Sequence, residues 1–211
     1  MKKNNDFRQA KRNLKPVISF VVDGKCELWY LQKMEEKVRG KKNVNFSFNP
    51  KLPQNKKLKD QHILVKELSK TSEKVFWIID FDTILKETRE TKKGNKTLLQ
   101  EFQELYDRCK KSKNITIIVN NPCLEFWFLQ HFEATSKHFE TYEQLEKSLK
   151  KYLPDYEKTE KYYKNSRKNI YQKLYEYLPT AIENTENKQF VFENIQEGIT
   201  EMYKIFKELD L

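Results

Sequence analysis

Glycine and cysteine are scarce in this chain, and long apolar runs are missing. Four glycines in 211 residues leave no glycine-rich loop of the kind that cradles phosphates. The three cysteines, Cys26, Cys109 and Cys123, form no CxxC pair and leave an odd number, so neither a disulfide framework nor a structural zinc site is expected. No apolar stretch approaches the roughly 20 residues that a membrane span needs. We therefore expect a cytoplasmic protein with no membrane segment.

Positive charge is abundant. Lysine and arginine number 41 against 31 aspartates and glutamates, which gives a net charge of +10. Such a surplus favours a polyanionic partner, and we expect RNA or DNA. Aromatic residues make up 13% of the chain, enough to supply the core that disordered chains usually lack. The composition thus predicts a folded protein that binds nucleic acid.

The hydrophobic pattern predicts an α/β fold. Short runs of β-branched and aromatic residues alternate with segments of helical periodicity. The four predicted strands cover residues 17–22, 44–48, 75–79 and 114–119. Alternation of this kind, with right-handed crossovers, indicates a four-stranded parallel sheet with helices on both faces.

Three regions follow from the same pattern. Residues 1–15 are basic and predicted to be flexible, and residues 16–135 form the predicted α/β core. Residues 136–211 are predicted to be a C-terminal α-helical extension that packs on the core. Its last helix is expected to include Ile195 and Ile199 together with Phe206, because these apolar residues share a helical face.

Carboxylates follow two of the predicted strands. Asp23 comes after the first strand, with Glu27 one helical turn further on, and Asp80 and Asp82 come after the third. The carboxyl ends of parallel strands meet at one edge of a sheet, where ligands bind. Converging carboxylates repel one another unless a cation lies between them, and oxygen ligands favour Mg²⁺ or Mn²⁺ over zinc. The sequence predicts a site in which these four acids hold the metal and take part in catalysis.

Each acid also has a plain structural interpretation. Asp23 before Gly24 is typical of a turn, Glu27 suits the first turn of a helix, and Asp82 could cap a helix or lie in a solvated loop. Asp80 is harder to explain in this way, because an acid directly after the apolar run VFWII needs a partner.

Two further features have open interpretations. Glu125 follows Pro122 in an otherwise apolar helix, so it either caps that helix or supports the acidic site. A basic stretch with Tyr162 and Tyr163 as stacking candidates is either a contact for nucleic acid or a solvated helix face. Its basic residues are Lys158, Lys161, Lys164, Arg167 and Lys168.

Four segments together resemble the RloB family of Toprim-type proteins found beside restriction and phage-defence genes. They are VISFVVDGKCELWYLQKM from residue 17, VFWIIDFDT from residue 75, NNPCLEFWFLQHF from residue 120 and LPDYEK from residue 153. The resemblance implies a Toprim fold, a four-stranded parallel sheet with a metal-binding acidic cluster. By position, that cluster falls on Asp23, Glu27, Asp80 and Asp82. Asp23 departs from the family, which usually has the longer Glu there.

The resemblance implies a Mg²⁺-dependent or Mn²⁺-dependent nuclease that hydrolyses phosphodiesters in RNA such as tRNA, or in DNA. It further implies an effector of anti-phage defence by abortive infection, regulated by a partner ATPase. One alternative is a non-catalytic module that binds nucleic acid or a partner, because the shorter Asp23 weakens the site. Another is a nucleotide-sensing domain, although the lack of a glycine-rich turn argues against dinucleotides.

Overall fold

A computed structural model describes residues 15–40, 43–49 and 57–211. The predicted flexible N-terminus, apart from Lys15, lies outside these residues. Within them the chain forms a five-stranded sheet of order β2-β1-β3-β4-β5. The strands are β1 (Val17–Val21), β2 (Asn45–Asn49), β3 (Lys74–Asp80), β4 (Ile115–Asn121) and β5 (Ile199–Thr200). The first four are parallel, and β5 runs antiparallel to β4.

Helices connect the strands and recur through the C-terminal region. Five belong to the strand-alternating part: α1 (Lys25–Val38), α2 (Leu58–Leu68), α3 (Phe81–Glu90), α4 (Leu98–Lys110) and α5 (Leu124–Gln130). The others are α6 (Tyr142–Leu149), α7 (Glu160–Tyr163), α8 (Ile170–Leu174), α9 (Leu178–Thr185) and α10 (Tyr203–Leu209). The mixed α/β class predicted from the sequence is confirmed.

Alternate residues of the central strands supply two separate cores. Phe76 and Ile78 of β3 face the core shared with α1, α5 and the C-terminal helices, whereas Trp77 and Ile79 face the core shared with α2, α3 and α4. A strand that is buried on both faces is a continuous apolar run in the sequence, and for this reason the hydrophobic pattern predicted the position of β3 accurately. Helices therefore cover both faces of the sheet, as predicted.

The predicted number of strands was wrong. Residues 199–200 were expected inside the last helix, but they form β5, paired with Asn120 and Asn121 of β4. The Thr200 hydroxyl donates to Oδ1 of Asn120 at 2.7 Å, a bond that a helix through these residues would not provide. A two-residue strand has too little periodicity to be distinguished from a helical face, so local pattern favoured the helix.

The C-terminal region shares the core on the α1 face of the sheet. Tyr30 of α1 packs its ring 5.6 Å from that of Tyr171 in α8, and Trp127 of α5 stacks on Phe206 of α10 at 5.7 Å. Trp127 also donates from its indole nitrogen to the Tyr30 hydroxyl at 2.9 Å. The extension is thereby joined to α1 and α5, the two helices that follow the first and fourth strands.

None of the helices in the described part of the chain has the length and apolar character needed to cross a membrane.

A pH-dependent contribution to stability is expected at His131. Its side chain is 1% exposed, its Nδ1 lies 2.9 Å from the carbonyl oxygen of Trp127, and burial lowers its pKa from 6.5 to about 4. Between these values the unfolded chain binds a proton that the folded chain does not. The contribution of His131 to the free energy of unfolding should therefore fall as the pH drops, by about 2 kcal/mol between about pH 7 and about pH 5.

Urea unfolding at these two pH values measures the effect. In His131→Phe the fall should be smaller by about that 2 kcal/mol. Equal pH dependence in the wild type and His131→Phe would contradict the assignment.

Candidate functional site

All the predicted acids lie at the carboxyl edge of the parallel strands. Asp80 is the last residue of β3 and Asp82 lies in the first turn of α3, while Asp23 follows β1 and Glu27 lies in the first turn of α1. Glu125 is in the first turn of α5, directly after β4. The backbone nitrogen of Asp82 donates to the carbonyl of Pro122 at 3.0 Å, which ties the turn after β3 to the turn after β4.

Glu27 and Asp80 form the centre of this edge. Their carboxyl groups share a hydrogen bond, and burial raises the pKa of both, with the negative charge of Glu27 raising that of Asp80 further. The Oε2 atom of Glu27 is buried and has no hydrogen-bond partner. The pKa of Asp80 lies well above its usual range because its carboxyl group is desolvated beside the charge of Glu27. Two adjoining carboxylates shielded from water in this way are unfavourable when both are ionised.

Gly24 makes room for the Glu27 side chain. A Cβ atom at position 24 would overlap Oε2 of Glu27, so any other residue would displace that carboxylate. Gly24 is also the residue before α1, with extended backbone geometry at φ −98°. The glycine in the Asp-Gly turn therefore serves the placement of Glu27 as well as the turn itself.

Asn120 of β4 is a member of the site that sequence reasoning missed. Its Nδ2 donates to Oδ1 of Asp80 at 3.3 Å, while its Oδ1 accepts from the Thr200 hydroxyl. Thr200 thus fixes which end of the Asn120 amide faces Asp80. The signal available in the sequence was the polar pair Asn120 and Asn121 at the end of an apolar strand.

Asp82 lies in the first turn of α3. Its side chain is partly buried, and the backbone nitrogen of Thr83 donates to Oδ1 at 2.6 Å. Burial raises its pKa. The structure thus brings Asp80 and Asp82, both partly buried, to the same turn but gives them different neighbours. Asp80 faces Glu27, whereas Asp82 accepts from the backbone of Thr83.

Glu125 lies deepest of the acids, with no exposed surface. Its Oε1 accepts from Tyr156 at 2.6 Å and from Tyr163 at 3.4 Å, and it forms an ion pair with Lys158 at 3.1 Å. Its Oε2 is buried without a hydrogen-bond partner. The capping interpretation is therefore wrong, because Glu125 turns to the C-terminal region instead of the start of its own helix. The two tyrosines were not predicted as part of the site.

The basic stretch does not form one continuous helical face. The helix ends at Tyr163, and both Tyr162 and Tyr163 are buried, so the prediction that they stack on bases is wrong. Lys158 turns to Glu125 and lies 3.9 Å from the centre of the Tyr142 ring. Lys164 pairs with Glu160. The remaining three residues of the stretch are exposed: Lys161, Arg167 and Lys168.

Asp23 is held by a second residue that sequence reasoning missed. Gln61 of α2 donates from Nε2 to Oδ1 of Asp23 at 3.0 Å. The other end of the same amide accepts from the indole nitrogen of Trp77 at 2.9 Å. The sequence position of Gln61 does not indicate a role in the site, since it is one polar residue among several in an amphipathic helix.

Two clefts flank the start of α3. The first, of about 580 Å³, contains Asp23 and Asp80 in its lining together with Gln61. The second, of about 520 Å³, contains Asp82 together with Lys86 and Arg89. Asp23 and Asp80 are therefore reached from one side of the α3 turn and Asp82 from the other. Both clefts carry basic side chains, which in the first are Lys57 and Lys59.

The donor set fits a hard divalent cation. Within residues 15–40, 43–49 and 57–211, no three His, Cys, Asp or Glu side chains already surround a common metal position. Mg²⁺ does not require such a cage, because it keeps several waters and is usually held by one or two carboxylates plus substrate oxygens. Glu27 and Asp80 supply adjoining carboxylates, one with a buried oxygen that lacks a partner, and Asp82 and Asp23 lie on either side.

These features define a mixed α/β protein with an acidic site at the carboxyl edge of a mostly parallel sheet. A family model described as RloB-like protein matches residues 18–209, and the chain belongs to this RloB-like family. The resemblance seen in the four sequence segments is thereby confirmed. No curated protein and no solved structure matches the chain.

Proposed function

We propose that this protein is a Mg²⁺-dependent nuclease of the Toprim type that hydrolyses phosphodiesters in nucleic acid, with Mn²⁺ as an alternative metal. The observation that supports this most directly is the position of the buried Glu27 beside the partly buried Asp80 at the carboxyl edge of β1 and β3. A cation bound at this edge would lower both raised carboxyl pKa values and would contact the buried oxygen that lacks a partner.

The proposed role of each site residue follows from its position. Glu27 and Asp80 are the proposed principal metal ligands, with Asp82 and Asp23 completing the set from either side. Asn120 orients Asp80 by donating to its Oδ1. A bound Mg²⁺ would polarise the scissile phosphodiester and make a water available as the nucleophile at neutral pH.

The substrate is proposed to be RNA such as tRNA, or DNA. Support comes from the net charge of +10 and from Lys86 and Arg89 in the cleft that contains Asp82. Phosphate contacts of this kind give affinity that falls steeply with salt. By its membership of the RloB-like family and the resemblance described above, we further propose a role as an effector of anti-phage defence, controlled by a partner ATPase in the cytoplasm.

Cleavage assays test this function. Mixed tRNA, single-stranded RNA and duplex DNA are incubated with the full chain in Mg²⁺, Mn²⁺ or EDTA, with and without the proposed partner ATPase. We expect cleavage of one substrate class in Mg²⁺ or Mn²⁺ and none in EDTA. Absence of cleavage of every substrate under all metal conditions, with the ATPase present, would contradict the nuclease proposal.

A non-catalytic binding module is the second candidate, and one observation favours it. Lys158 already neutralises Glu125, the acid closest to the C-terminal region, so part of the negative charge is balanced without a metal. A binding module would retain nucleic acid in EDTA and would cleave nothing. Asp23→Glu separates the two cases further: cleavage that appears only in this variant would mean that the site is intact but the shorter acid limits its reach.

A further inference from the structure

Gln61 connects the sheet core to the acidic edge. Its side chain, 5% exposed, lies between Trp77 of β3 and Asp23 in the turn after β1. The distances are 2.9 Å from the Trp77 indole nitrogen to Oε1 and 3.0 Å from Nε2 to Oδ1 of Asp23. One amide thus joins a fully buried residue of β3 to a predicted site residue in the turn after β1.

The orientation of this amide follows from the chemistry of its neighbours. The indole nitrogen of Trp77 is a donor only, so the end of Gln61 that faces it must be the carbonyl oxygen. The NH₂ group then faces Asp23, where a carboxylate accepts it. Trp77 has no exposed surface, so the donor that fixes the amide is itself held rigidly by the core.

We propose that Gln61 is a positioning residue that holds the Asp23 carboxylate at the metal-binding edge, with Trp77 fixing the direction of its amide. The inference rests on the proposed function. Asp23 lies in the turn between β1 and α1, outside both elements, where its side chain has little regular structure to restrain it. A neutral donor restrains the carboxylate without placing a competing positive charge beside the cation. Hydrogen-bonded partners of ligands commonly serve this purpose in metal sites.

Binding of Mn²⁺ alone, followed by electron paramagnetic resonance without nucleic acid, tests the role of Gln61. Gln61→Met keeps the length of the side chain and removes its hydrogen bonds to Trp77 and Asp23. We expect it to weaken Mn²⁺ binding about tenfold. Trp77→Phe keeps an aromatic ring in the core and removes only the donor, so that the amide of Gln61 can turn over; it should weaken binding in the same direction by a smaller factor.

Gln130→Met is the matched control. Gln130 is also buried and donates from Nε2 to the carbonyl of Thr135 at 2.8 Å, but its hydrogen bond is to the backbone and involves none of the acids. Its substitution costs a buried hydrogen bond of similar kind and should leave Mn²⁺ binding as in the wild type. If Gln61→Met does not fold, Trp77→Phe takes its place in the comparison.

A double-substitution experiment distinguishes positioning from general destabilisation. In the background of Asp23→Asn, adding Gln61→Met should cause no further loss of Mn²⁺ affinity, because the carboxylate that Gln61 positions is already gone. Equal affinity in Gln61→Met and wild type, or the same loss with and without Asp23, would overturn the inference while leaving the proposed function standing. A wild-type protein that binds no Mn²⁺ would overturn both.

Discussion

Asp80→Asn is expected to abolish metal-dependent cleavage and, in the absence of metal, to stabilise the protein. The activity should fall at least about a thousandfold, because a ligand at the centre of the proposed site is lost. The free energy of unfolding should rise by about 1 kcal/mol, as is common when an unfavourable active-site group is removed. In a chain of this size that corresponds to a melting temperature about 2–4 °C higher.

The stabilisation should depend on pH in a definite direction. Burial and the charge of Glu27 raise the pKa of Asp80 above its usual value of 3.8, so the folded chain holds a proton that the unfolded chain has released. The wild type without metal therefore loses stability as the pH rises through the folded-state pKa. Asparagine carries no such proton, and its advantage should be larger at about pH 8 than at about pH 5.

Asp107→Asn is the control for Asp80→Asn. Asp107 is exposed on α4, so the substitution removes one negative charge from the chain without touching the acidic edge. Thermal unfolding in EDTA and cleavage in Mg²⁺ are measured for both variants. If Asp80→Asn lowers stability in EDTA, or if it cleaves as well as Asp107→Asn, the account of the acidic edge is wrong.

Lys158→Met is expected to destabilise the fold substantially. Lys158 balances the charge of Glu125, which has no exposed surface and lies near the other acids. Without the lysine, Glu125 would be a buried charge with only tyrosine hydroxyls as donors. Losing one partner of a fully buried pair costs about 3–5 kcal/mol. Because 39% of the Lys158 side chain is exposed, we expect about 2 kcal/mol here.

A double-mutant cycle shows where this loss arises. Glu125→Gln removes the charge that Lys158 balances and keeps an acceptor for Tyr156 and Tyr163. Adding Glu125→Gln to Lys158→Met should therefore recover more than half of the lost stability, measured by urea unfolding. Additive losses in the double variant would mean that Lys158 stabilises the protein through its contact with the Tyr142 ring and not through Glu125.

The central sheet could be predicted from the sequence because its strands are apolar on both faces. The run VFWII and its neighbours are continuous and bounded by polar residues, so β3 and β4 were located to within two residues at each end. The short strand β5 could not be found in this way. It forms because Asn120 and Thr200 are hydrogen-bonded although 80 residues separate them in the sequence. A contact between residues so far apart leaves no signal in the local hydrophobic periodicity.

The acids of the site could be anticipated for a related reason. A carboxylate directly after a buried strand destabilises the fold unless a group at the sheet edge compensates its charge. The position of Asp80 after VFWII therefore indicated a site at this edge. The residues that position the acids could not be anticipated. Gln61 and Tyr163 come from helices, and Tyr156 comes from the segment between α6 and α7. Their packing is decided by tertiary contacts, and each resembles an ordinary residue of an amphipathic segment.

Crystals of the full chain soaked in Mn²⁺, with anomalous diffraction recorded near the manganese edge, test the central claim most directly. We expect an anomalous peak beside the carboxylates of Glu27 and Asp80, at the carboxyl edge of β1 and β3. This peak should be lost in Asp80→Asn. A map with no peak at this edge, or a peak that persists in Asp80→Asn, would contradict the claim that these acids form a metal centre.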